Sequence, residues 1–161
     1  MLRLYKSAVR PHLEYCTAAW SPYCIKDKEL IERIQHKFTI MIPEIKDLPY
    51  MERLHQLNLW TLEERRTRTD LIEVYKIIHG LTTVKCKSFL NFKIIPKHEA
   101  IRIVSTGIRI SIFFTERIIN IWNSLDERTV TASTLNCFKR NLEYLRNSTK
   151  IGLIWTDVAR P

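Results

Sequence analysis

The chain has 161 residues, 45% of them hydrophobic and 27% charged, a balance that suits one modest globular core or two small ones and excludes a disordered tail. No apolar run approaches the roughly 18 residues a membrane span requires, and MLRLYKSAVRPH lacks the unbroken apolar stretch of a secretory signal, so an intracellular protein, cytoplasmic or nuclear, with no membrane partner is expected. The net charge of +9 is uneven, with 13 basic and 11 acidic side chains in residues 1–84 against 13 and 6 in residues 85–161, and such a surplus attracts phosphate backbones.

The first part reads as helices joined by proline and turn signals. LRLYKSAVRPHLEYCTAAW, residues 2–20, predicts two helical pieces meeting at Pro11, because proline lacks a backbone N–H and restrains Arg10 from helical geometry. Pro22 ends the second piece. In KDKELIERIQHKFTIMI, residues 26–42, Leu30, Ile34, Phe38 and Met41 recur at spacings of four, four and three, which predicts an amphipathic helix with Asp27 as its cap. Pro43 closes that helix. Pro49 opens a short one carrying Leu54 and Leu57, and Thr61 with Glu64 forms a capping box for LEERRTRTDLIEVYK, residues 62–76.

KCKSFLNFKIIPKHEA, residues 85–100, is a lysine-rich connection. Beyond it Ile101, Ile103, Ile108, Ile110 and Ile112 alternate with Arg102, Arg109 and Ser111, which predicts a short hairpin turning near Ser105-Thr106-Gly107. Helical spacing follows through Phe114, Ile118, Ile121, Trp122 and Leu125. It returns at Leu135, Phe138, Leu142 and Leu145, with Ser133 as the expected cap. The fold class expected is therefore mostly α: a helical module over 1–84, a linker over 85–100, a small α+β segment with a hairpin over 101–147, and a tail over 148–161.

Arg65, Arg66 and Arg68 crowd the helix at 62–76. Projected at 100° per residue, Leu71, Val74, Tyr75 and Ile78 form its core stripe, Arg65 and Arg68 lie on the other side and Arg66 lies to one flank. Glu63, Glu64, Asp70 and Glu73 balance the bases, and Glu64 with Arg68 is a favourable i,i+4 pair. Two readings stand open: a salt-bridged solvated face, or a surface that grips phosphate. Lys139, Arg140 and Arg146 have fewer acids nearby and are the better electrostatic candidates. Trp20, Trp60 and Trp122 sit among aliphatic residues at helical spacing, which favours core packing over base stacking.

The chemistry of catalysis is not visible. The adjacent acidic pairs Glu63-Glu64 and Asp126-Glu127 do not suggest a two-metal site, and there is no glycine-rich phosphate loop, HExxH or GxSxG. Cys16, Cys24, Cys86 and Cys137 form no CxxC pair, and His12, Cys16 and Cys24 offer three ligands where structural zinc takes four. No catalytic residue, metal or cofactor is expected in this chain.

Four stretches carry a resemblance: LYKSAVRPHLEYCTAAWSP (4–22), LIERIQHKFT (30–39), LPYMERLHQLNLWTLEERRTRTDLIEVYKIIHGL (48–81), and FFTERIINIWNSL followed by STLNCFKRNLEYL (113–145). In order and spacing they resemble the C-terminal part of the reverse transcriptase polyprotein of non-LTR retrotransposons, the jockey-like LINE class. VRPHLEYC and LEERRTRTDLIEVYKI are the most specific signatures. The chain departs from the family at Asp126, where proline is usual, and in RIVSTGIRIS, which carries fewer basic residues.

The resemblance implies a thumb-like helical module and the region beyond it, packed along an RNA/DNA duplex by weak, sequence-independent backbone contacts. Arg65, Arg66, Arg68, Lys139 and Arg140 are the phosphate-binding candidates on that reading. The family's catalytic aspartates, with the magnesium they hold, lie upstream of the first matched stretch, so the upstream palm is the implied protein partner and this chain is not an enzyme on its own. The alternative expectations are a non-catalytic packing fragment or a decayed retroelement remnant.

Overall fold

The structure, a computed structural model, describes residues 1–15, 17, 20–22, 24–82, 92–97, 100–105 and 112–148. The described residues are mostly helical, as the fold class expected. They fall into two compact units, Met1–Arg66 and Thr67–Pro161. Much of the expected linker (85–91, 98–99) and residues 149–161 of the expected tail lie outside the described residues.

In the first unit, α-helical Leu2–Leu4, π-helical Tyr5–Val9 and α-helical Arg10–Glu14 make up α1. The predicted break at Pro11 is absent, since Arg10 keeps helical angles of φ −58° and ψ −40°. The π turn explains how: the wider register just before Pro11 gives room where the ring would otherwise press on a carbonyl one turn back. Three more helices follow: α2 (Ile25–Ile40), α3 (Tyr50–Gln56) and α4 (Leu62–Ile78). α4 crosses the boundary between the units.

The end of α3 is set by Asn58, whose φ of 48° is the left-handed conformation that closes a helix. Leu59 N–H then bonds back to Leu54 O at 2.8 Å, and both leucines bury beside Tyr5 in the small apolar core. Phe38 stacks on Tyr5 with ring centroids 4.3 Å apart.

Of the expected apolar stripe of α2, Phe38 packs against this small core, while the other three residues do not turn inward. Leu30 is 54% and Met41 59% exposed, and Ile34 is also exposed, whereas Gln35 and Thr39 are fully buried. Polar anchoring explains this rotation. Gln35 Oε1 accepts from Tyr5 Oη at 2.6 Å, its Nε2 donates to Trp60 O at 2.9 Å, and Glu32 accepts from Tyr50 Oη and, at 2.8 Å, from Leu62 N–H at the head of α4. A buried polar group left unmatched costs about 1–3 kcal/mol, and turning the stripe inward would leave these groups unmatched. Nor does Asp27 cap α2, which starts at Ile25 after Cys24.

The second unit holds the larger core. Leu71, Val74 and Tyr75 of α4 pack with Ile118, Ile121 and Trp122 of α5 (Ile112–Ser124), Val130 of the short α6 (Glu127–Val130), and Phe138 and Leu142 of α7 (Leu135–Ser148). Tyr75 stacks on Phe138 at 4.5 Å and donates its hydroxyl to Ala132 O at 2.6 Å, so its one polar atom is satisfied inside. The cap of α7 is Thr134, whose hydroxyl accepts from Cys137 N–H at 3.2 Å, one residue beyond the expected Ser133.

Residues Phe92–Lys97 (β1) and Ala100–Ser105 (β2) pair antiparallel from Phe92↔Ser105 to Lys97↔Ala100. Of the hairpin expected across 101–112, the first leg is a strand paired upstream with β1, the turn and the second leg at 106–111 lie outside the described residues, and Ile112 opens α5. Alternation specifies that a segment is a strand, not which neighbour it pairs with.

Candidate nucleic-acid interface

The three arginines of LEERRTRTDLIEVYK do not act as one patch. Glu64 closes the predicted capping box, its carboxylate accepting from Thr61 N–H at 3.1 Å while Thr61 Oγ1 accepts from Glu64 N–H at 3.1 Å. That fixes the first turn of α4 and hence the directions of Arg65 and Arg66. Arg65 forms a two-point ion pair with Glu14 at the end of α1, through Nε to Oε1 and through Nη2 to Oε2 at 2.9 Å. Such fork geometry is the strong form of the arginine–carboxylate contact.

Arg66 is only 4% exposed. Its Nη2 donates to Leu13 O at 2.9 Å, and its Cζ lies 5.5 Å from the centroid of the Trp20 ring. Arg65 and Arg66 thus bind α4 to the end of α1 and to Trp20. Arg68 falls in the second unit and is half-buried. Lys28 of α2 pairs with Glu63 at 2.8 Å, adding a further tie to the same helix head.

Glu32 sits at the centre of these ties. Its carboxyl titrates above the ordinary range because burial penalises the charge, only partly offset by hydrogen bonds from Tyr50 and Leu62 N–H and by the positive charge of Arg66. Tyr5 and Tyr50 are pushed up in the same way, burial leading, with the Glu32 carboxylate adding to both. This cluster is a hydrogen-bonded core, built from groups that hold one another.

The second unit presents a different surface. On α7 the buried Phe138 and Leu142 define the inner side, Lys139 lies on the flank and Arg140 faces solvent. Among the described residues neither Lys139 nor Arg140 is ion-paired, and Arg140 Nη2 rests 3.6 Å from Cys137 Sγ. Glu143 is the single acidic residue of the helix against Lys139, Arg140 and Arg146.

Of the three tryptophans weighed for stacking, Trp60 and Trp122 are buried and Trp20 is 45% exposed. The sequence pattern around Trp20 resembled that of a core position. What it lacked was the long-range contact with Arg66, which holds the ring at the surface. Among the described residues no group of three or more His, Cys, Asp or Glu side chains converges as metal ligands, and no helix is long and apolar enough to cross a membrane. Comparison of the chain with protein-family models, with curated proteins and with solved structures finds no match.

Proposed function

We propose that the chain is the duplex-holding, non-catalytic C-terminal part of a LINE-type RNA-directed DNA polymerase, gripping an RNA/DNA duplex through its phosphates. The observation that carries this reading is the solvent side of α7, where Lys139 and Arg140 stand without an acidic partner among the described residues, together with the sequence signatures that resemble that family. Backbone contacts of this kind position a duplex without reading its bases. Arg65 and Arg66 are given a different role, that of ordering the first unit, because a phosphate reaching them would have to displace Glu14 or the Leu13 carbonyl.

Polymerisation would then belong to the upstream palm and the metal ions that its aspartates hold. A filter-binding titration of an RNA/DNA hybrid at low salt tests the reading. Saturable retention is the expected result, and no retention would refute it.

A second reading has its own observation. Leu30, Ile34 and Met41 form an exposed apolar row along α2, and exposed apolar surface of this kind marks a docking face. On that reading the chain is a packing fragment whose row seats against the upstream palm, and alone it self-associates.

A further inference from the structure

We propose that Tyr15 and Trp20 form a stacking platform for the unpaired bases of a single-stranded nucleic acid whose phosphates follow Arg3, Lys6 and Arg10. The proposal rests on reading the chain as a nucleic-acid binder, and it assigns a second kind of ligand to a different unit from the one that carries α7. Tyr15 is 73% and Trp20 45% exposed, in a molecule that buries Trp60 and Trp122. The Trp20 ring is held in place: its Nε1–H donates to Tyr15 O at 2.7 Å, and the Arg66 guanidinium lies 5.5 Å from its centroid. A fixed aromatic surface loses little freedom on binding, which is what makes a good platform.

Charge selects the ligand. Arg3, Lys6 and Arg10 recur along α1, Lys6 in its π-helical stretch and Arg3 and Arg10 in the α-helical turns on either side, on the helix that leads to Tyr15. The one acid of that stretch, Glu14, is engaged by Arg65 in a two-point pair and lies 3.9 Å from Arg10. A cationic ligand is disfavoured, because the π cloud of Trp20 already faces Arg66 and the approach is basic. An acidic peptide satisfies the charge and leaves the rings without a flat partner. A single strand supplies both a phosphate line and π faces, the combination that non-specific single-strand binders use.

The test uses the full chain and a labelled pyrimidine oligonucleotide, with an abasic strand of equal length and an RNA/DNA hybrid as companions. Intact single strand is expected to quench tryptophan emission, and Trp20→Leu to remove that quench and weaken binding about 5- to 100-fold. The abasic strand is expected to bind the unaltered chain more weakly by a similar factor, a comparison that needs no variant to fold. Equal affinity for intact and abasic strands would overturn the platform and leave the duplex-holding reading standing. Binding of the single strand without the hybrid would support the platform and overturn that reading, and absence of saturable binding by either at low salt would overturn both.

Discussion

Glu32 is held by two opposed effects, burial that penalises its charge and donors that favour it, and burial is the larger. A carboxyl whose folded pKa lies above its ordinary value of 4.5 binds its proton more tightly in the fold. Its contribution to stability is therefore present in full below that value and is lost as pH rises through the folded pKa. Glu32→Gln removes the titration while keeping a carbonyl to accept from Leu62 N–H and an amide to donate to Tyr50. In urea titrations from pH 4 to pH 7.5, the stability of the unaltered chain relative to this variant is expected to fall as pH rises. A difference that stays flat or moves the other way would show that Glu32 is not the group penalised. At this scale the sequence was partly legible: the Thr61–Glu64 capping box is local and was readable, whereas Arg65 meets a partner 51 positions away, and no local pattern carries that information.

Helices were legible where the apolar period is long and the buried direction is set by apolar contact alone. Leu71, Val74 and Tyr75 of α4 and Phe138 and Leu142 of α7 face the core that their spacing predicts. Because Phe138 contacts both Tyr75 and Trp122, Phe138→Ala is expected to cost about 3–5 kcal/mol in urea unfolding; a loss below about 1 kcal/mol would mean that the stack is not central to the core. α2 followed a different rule, since its rotation is set by Gln35 and Glu32 bonding to groups 15 to 30 residues away. Replacing Leu30, Ile34 and Met41 together by Gln is therefore expected to leave stability within about 0.5 kcal/mol per site and to reduce any self-association seen by sedimentation velocity. Unfolding of the triple variant would show that the row is buried in solution. The strand at 101–105 teaches the complementary point, that alternation was readable and the pairing partner was not.

Across the molecule, net charge is unevenly distributed, and so are the roles of the cations. In the first unit Arg65, Arg66 and Lys28 are joined to Glu14, Leu13 and Glu63, and hold helices together. In the second, Lys139 and Arg140 of α7, like the exposed Arg128, have no ion pair among the described residues. Composition alone showed the C-terminal surplus, and it showed no more than that, because counting charges does not reveal which are neutralised through space. The measurement that bears most directly on this division is the salt dependence of RNA/DNA hybrid binding by fluorescence anisotropy. Each phosphate contact contributes about 0.9 to the slope of log K against log salt, so Lys139→Ala with Arg140→Ala is expected to lower the slope by about two, while Arg65→Ala leaves it unchanged. A slope that survives the α7 double variant, or one that falls with Arg65→Ala, would contradict the account.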